Sequence, residues 1–115
     1  MNIGPETLNL EPLVVLMTAA SAEEAEGLAD MLVNNELAAC VQILPQIQSI
    51  YRWKGRTERS SEVLLIVKTE LQKFAELERQ VRAIHSYETP EIVALPIADI
   101  SAPYREWLTS NLGSD

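Results

Sequence analysis

The chain holds 115 residues, 47% of them hydrophobic, with one cysteine, one histidine and seventeen acids against nine bases, for a formal net charge of −8. This length and apolar content suit one domain with a core of its own, no apolar run is long enough for a membrane-spanning helix, and a lone cysteine excludes an internal disulfide framework. The negative balance repels phosphate backbones and argues against a nucleic-acid partner.

Residues 1–11 are polar, contain Gly4 and Pro5, and read as a loose N-terminal arm. Met1-Asn-Ile-Gly-Pro-Glu6 lacks a basic segment followed by an apolar one, so we expect no secretory signal, no membrane insertion and a cytoplasmic location. Leu13-Val-Val-Leu-Met17 is a continuous apolar run of strand length. Ser21 with Glu24 forms a capping-box pattern, and Ala25, Leu28, Ala29, Leu32 and Val33 follow at helical spacing. Asn34-Asn35 ends that helix, since asparagine tolerates the left-handed conformation.

Leu37 to Leu44 reads as a second strand. Pro45 interrupts it, and the extended pattern resumes from Ile47 to Trp53, so we expect one long strand with a bulge or edge position at the proline. Within it Ile47, Ser49, Tyr51 and Trp53 share one face; Gln48, Ile50 and Arg52 share the other. Lys54-Gly55-Arg56 is a turn, and Val63-Leu-Leu-Ile-Val67 is a third strand, apolar on both faces. Thr69 with Gln72 is a second capping-box candidate, ahead of a stripe formed by Leu71, Phe74, Leu77, Val81 and Ile84. Ile92 to Ile97 is a fourth strand. Ser101 caps a last short helix with Pro103 in its first turn and Tyr104, Trp107 and Leu108 on its apolar side.

The order βαββαβ plus a terminal helix is the α+β, ferredoxin-like split-βαβ pattern, a single domain over residues 12–112 with a short tail at 113–115. Right-handed crossovers place both main helices on one face of an antiparallel sheet. The other face should alternate apolar with polar, yet the first and third strands are apolar on both sides. The terminal helix is too short to cover that face, so self-association is expected.

Several residues carry candidate chemistry. Cys40, between Ala39 and Val41, reads as a buried structural thiol or as a soft metal ligand. His85 closes the second helix, where it complements the helix dipole or, beside Tyr87, Glu88 and Glu91, ligates a metal. One His and one Cys do not complete a high-affinity site, so carboxylates from Glu88 or Glu91, or residues of other subunits, would have to join. Glu91 with Lys68 reads as an ion pair or, with His85 and Tyr87, as a polar cluster lining an intersubunit cleft for a small effector. Tyr51, Trp53 and Trp107 read as packing or subunit-interface anchors. Arg52, Lys54, Arg56 and Arg59 cluster in one short segment, either a solvated hairpin tip or a local anion-binding patch.

Three strings, Leu37-Ala-Ala-Cys40-Val-Gln-Ile43, Tyr51-Arg-Trp53-Lys-Gly55 and His85-Ser-Tyr87-Glu88-Thr89-Pro90-Glu91, resemble the CutA family of divalent-cation tolerance proteins, and the resemblance runs from about Leu13 to Leu112. It implies a ferredoxin-like homotrimer, with sheets packed around a three-fold axis and long hairpins reaching across neighbours, and high thermal stability from the large shared core. It also implies a divalent cation, copper above all, as the ligand, with Cys40 as the suspected copper ligand. No organic cofactor is indicated. The alternative is a PII-like trimeric signalling module that binds a small effector between subunits; this rests on fold analogy. Catalysis is not expected. The one histidine has no identified nucleophile, and Thr18-Ala-Ala-Ser21 lacks the arginine an acylphosphatase loop would need. RNA recognition would want aromatics on the first and third strands, and heavy-metal transfer would want a Cys-x-x-Cys loop; neither is present.

Overall fold

The computed structural model describes residues 11–113. The expected arm at residues 1–11, except Glu11, and the last two residues of the expected tail lie outside them. The elements are β1 (Pro12–Ala19), α1 (Ala22–Asn34), β2 (Cys40–Trp53), β3 (Arg56–Glu70), a single 3-10 turn (Leu71–Lys73), α2 (Phe74–Ile84), β4 (Ile92–Pro96) and α3 (Ala102–Ser110). They form one four-stranded sheet in the order β2-β3-β1-β4 with every pairing antiparallel, the ferredoxin-like arrangement the element order implies.

The core lies between the sheet and the two main helices. Leu13, Val15, Met17 and Ala19 of β1 and Val63, Leu65 and Val67 of β3 alternate onto this side and are buried, as are Leu28 and Leu32 of α1 and Leu77 and Val81 of α2. Period-2 alternation in the strands and period-3.6 in the helices place these residues on one surface each. Val14, Leu16, Leu64 and Ile66 occupy the opposite face of the sheet. Its outer parts are bare: Leu44 is 42% exposed, Val93 46% and Leu95 45%. The last helix covers one end of this face, where Thr109 Oγ1 donates to Glu70 Oε2 at 2.7 Å, Lys68 Nζ lies 5.7 Å from the Tyr104 ring centre and Leu108 is fully buried. Tyr104 and Trp107 stay partly exposed and pack on one another at 5.4 Å.

The β2–β3 hairpin extends past the body. Both residues of its turn, Lys54 (φ 51°) and Gly55 (φ 79°), are left-handed, as the two-residue type I′ connection requires. Seven residue pairs, from Ile47↔Glu62 to Trp53↔Arg56, run beyond the bulge, a reach of roughly 23 Å. The radius of gyration is accordingly 15.3 Å, against about 13 Å for a compact chain of this size. Between the pairs Leu44↔Leu64 and Ile47↔Glu62 the β2 strand uses one residue more than β3, with Gln46 at φ 60°. This is the bulge anticipated at Pro45.

Three local expectations are corrected. The left-handed residue after α1 is Glu36 (φ 57°), whereas Asn35 sits at φ −91° and sends its side-chain amide to Gln80 at 2.8 Å. The second strand begins at Cys40, because the Leu37 and Ala38 N–H groups are drawn back to the Leu32 carbonyl at the helix end. Thr69 caps nothing: it is buried in β3 and its hydroxyl donates to the Leu37 carbonyl at 2.7 Å, so the 3-10 turn starts from Glu70 without a side-chain cap.

Candidate functional site

The polar cluster nearest to the expected one gathers where α1 begins, α2 ends and β1 turns away. Ser21 Oγ accepts the Glu24 N–H at 3.1 Å and opens α1, which points the Glu24 carboxylate backwards. That carboxylate overshoots the usual capping box. Its Oε1 accepts from the Ala20 N–H at 2.9 Å and the Ser86 hydroxyl at 3.0 Å, and its Oε2 accepts from the Ser86 N–H at 2.7 Å. Burial raises the pKa of Glu24, but the Ala20 and Ser86 donors outweigh it and leave the group below the ordinary glutamate value.

The His85 side chain is fully buried beneath this carboxylate. Its Nε2 lies 2.7 Å from the Thr18 carbonyl, which can only accept, so Nε2 carries the proton. Its Nδ1 accepts the Tyr87 N–H at 3.0 Å and lies 3.7 Å from Glu24 Oε2. Both ring nitrogens are thereby engaged, and the imidazole ties the end of β1 to the segment after α2. The Tyr87 ring packs against His85 at 4.9 Å between centroids, and its hydroxyl donates to Glu62 Oε2 at 2.7 Å. Burial first, then the bond to the Glu62 carboxylate, hold Tyr87 far above the usual phenol range, so it remains a donor. Glu62 also borders an open cleft of about 450 Å³ lined by Ala20, Ala22, Pro45, Gln46, Ser61 and Val63.

The structure brings His85 and Tyr87 together, with Glu24 and Glu62 as their partners. It does not bring the other candidates to them. Lys68 pairs with Cys40 on one side and Val14 on the other. Glu91 precedes Ile92, which pairs with Met17, so the two charged residues are offset by about four strand positions, roughly 13 Å along β1, and β1 itself lies between them. The expected Lys68–Glu91 ion pair does not form among the described residues. Cys40 is a half-buried free thiol; its register with Lys68 puts it on the bare face of the sheet rather than in the core. Glu88 and Glu91 are exposed. Among the described residues no three His, Cys, Asp or Glu side chains converge as a metal set. Tyr51 and Trp53 are exposed along the hairpin, with Tyr51 accepting from the Ser60 hydroxyl at 3.4 Å. Sequence reasoning missed Glu62 altogether and saw Glu24 only as a cap. Their partners lie 25 and 62 residues away, and no local spacing signals such pairings.

Comparison with known proteins agrees over nearly the whole domain. A family model described as "CutA1 divalent ion tolerance protein" matches residues 13–111. The chain is 49% identical over 100 residues to the divalent-cation tolerance protein CutA of Thermus thermophilus, covering 87% of this chain and 97% of that protein. It is 42% identical over 99 residues to the chloroplastic CutA protein of Arabidopsis thaliana, of whose length it spans 54%. A solved structure of the Thermus thermophilus protein superposes with a TM-score of 0.87 at 48% identity, covering 89% of this chain and 99% of that one. The crystal structure of CutA1 from Oryza sativa superposes at 0.89 with 36% identity, covering 94% and 99%.

Proposed function

The chain belongs to the CutA1 divalent ion tolerance family, and from that premise we propose that it serves divalent metal-ion tolerance as a homotrimer, taking copper or another divalent cation weakly at sites shared between protomers. The observation that carries the assembly is the bare sheet face: Leu44, Val93 and Leu95 lie exposed beside a hairpin that projects Tyr51 and Trp53 beyond the body. An isolated two-stranded hairpin is marginal in water, and an apolar patch of this kind marks an association surface. Shared sites follow from the spread of the candidate ligands. Cys40 stands at the α3 end of the sheet and Glu88 and Glu91 at the opposite end, while ligand bonds to zinc are only about 2.0–2.3 Å long. An ion bound by these groups therefore draws on more than one chain. The acidic surface raises the local cation concentration around it. We place the protein in the cytoplasm, give it no catalytic role, and attribute high thermal stability to the shared core.

Calorimetric titration of the metal-free protein with copper and with zinc, beside Cys40→Ala and His85→Ala, tests the metal reading. Saturation at a fixed ratio per assembly, lost in Cys40→Ala with circular dichroism unchanged, is the expected result. Weak binding that is equal in all variants would refute it. The cleft beside Glu62 favours a second reading, a PII-like module that binds a small effector between protomers. A melting shift with a metabolite and none with metal would select that reading.

A further inference from the structure

The hairpin has two unlike faces. Ile47, Ser49, Tyr51 and Trp53, with Arg56, Glu58, Ser60 and Glu62 across from them, continue the bare face of the sheet. The other face consists of Gln48, Ile50 and Arg52 opposite Ser61, Arg59 and Thr57, and all six are exposed, Ile50 by 54%. Four of the chain's nine bases, Arg52, Lys54, Arg56 and Arg59, fall on this short hairpin. None of the four forms an ion pair among the described residues, whereas Arg79 and Arg82 on α2 are paired with Glu76 and Glu78. Arg52 reaches only the Gly55 carbonyl, at 3.4 Å, and Lys54 lies 5.9 Å from the Trp53 ring centre. An acidic chain thus carries a net positive excess, four bases against Glu58 and Glu62, on its longest projection.

We infer that the Ile50–Arg52–Arg59 face of the hairpin docks an acidic peptide segment of another protein, one that sets carboxylates on either side of an apolar side chain. Ile50 lies directly across from Arg59 and two residues from Arg52, so an apolar contact is bracketed by two guanidiniums within about 5–8 Å. Guanidinium forks suit carboxylates, which they bind in bidentate fashion. A short segment meets mainly the local charge, four bases against Glu58 and Glu62, because the body begins three to five strand positions back along the hairpin, roughly 10–17 Å or one to two Debye lengths at physiological salt. An extended polyanion, a nucleic acid or an anionic bilayer, would meet the net charge of −8 as well. The assembly proposed above uses the Tyr51–Trp53 face and leaves this one free. The inference rests on that reading in this respect alone.

The test is fluorescence anisotropy with a labelled peptide of alternating glutamate and leucine, titrated with wild type, with Arg52→Glu/Arg59→Glu and with Ile50→Ser. The expected result is saturable binding weakened at least about tenfold by the double reversal, and by a smaller factor in Ile50→Ser. Binding should also weaken in high salt and vanish when lysine replaces glutamate in the peptide. Circular dichroism and sedimentation of the variants should match wild type. No saturation below about 1 mM, or equal affinity in the double variant, would overturn the inference. So would binding of an oligonucleotide or of phosphatidylserine vesicles without binding of the peptide. A change of sedimentation in the double variant would make this face an interface between copies and overturn it too, whereas a wild type that sediments as a monomer would count against the assembly reading instead.

Discussion

Replacing Glu24 by alanine removes one carboxylate that three donors share: the Ala20 N–H, the Ser86 N–H and the Ser86 hydroxyl. Hydrogen bonds to a charged acceptor contribute about 1.5–3 kcal/mol when well shielded, and ordinary ones about 0.5–1.5. Ala20 and Ser86 are both exposed, so water replaces part of what is lost, and the lower range applies. Two backbone donors at about 1 kcal/mol each, the hydroxyl, and the loss of a negative charge at a helix start give roughly 3–4 kcal/mol per chain. Guanidinium unfolding at fixed protomer concentration measures it, since unfolding coupled to dissociation depends on concentration. The pH dependence supplies a second check. The folded-state pKa of Glu24 is depressed, so its stabilisation is present above the unfolded value of about 4.3 and is lost as pH falls through the folded value. The gap between wild type and variant should be full near pH 6–7 and close in acid below about pH 4. Glutamine, which keeps one acceptor oxygen, should recover part of the loss. A neutral-pH gap under about 0.5 kcal/mol, or one that persists unchanged into acid, would refute the assignment.

Leu65→Ala, at a fully buried position of β3, should cost about 3–5 kcal/mol by guanidinium unfolding. Gly55→Ala meets open space, yet its φ of 79° is left-handed, so about 1 kcal/mol should be lost with the circular dichroism spectrum unchanged. Leu95→Asp places a charge on the bare sheet face while leaving the helix-side core intact. It should yield a smaller, folded species by sedimentation, and an unchanged sedimentation coefficient would exclude this face from the assembly.

What was legible in the chain is what neighbouring residues encode. The apolar runs of β1 and β3, the Ser21 cap, the two-residue turn at Lys54-Gly55 and the break at Pro45 are local signals, and the structure places elements there. The same local logic explains the misreadings. A threonine three residues before a glutamine looks like a cap, but Thr69 points into the core, where its hydroxyl finds the Leu37 carbonyl 32 residues away. His85 looks like an available imidazole, yet one ring nitrogen is taken by a carbonyl 67 residues upstream and the other by the peptide N–H of Tyr87. Buried polar groups must find partners, and the fold, not the spacing, decides which ones. Lys68 and Glu91 were opposite charges at two strand termini; the register separates those termini along the length of β1.

The bulge at Pro45 and Gln46 carries more weight than its one extra residue suggests. Before it, even-numbered residues of β2, Cys40, Gln42 and Leu44, lie on the bare face, while Val41 and Ile43 pack towards the core. After it the parity reverses, and Tyr51 and Trp53 continue the surface that Leu44 begins. Without the extra residue, strict alternation would have sent these aromatics to the helix side and turned Ile50 and Arg52 towards the apolar sheet face, because a shift of one position moves every side chain to the other face. One left-handed residue, Gln46, therefore separates two kinds of surface along a single hairpin: aromatic and apolar towards the bare sheet, basic and exposed away from it. Both the proposed assembly and the proposed docking face depend on that inversion, which the flanking residues mark only by a proline.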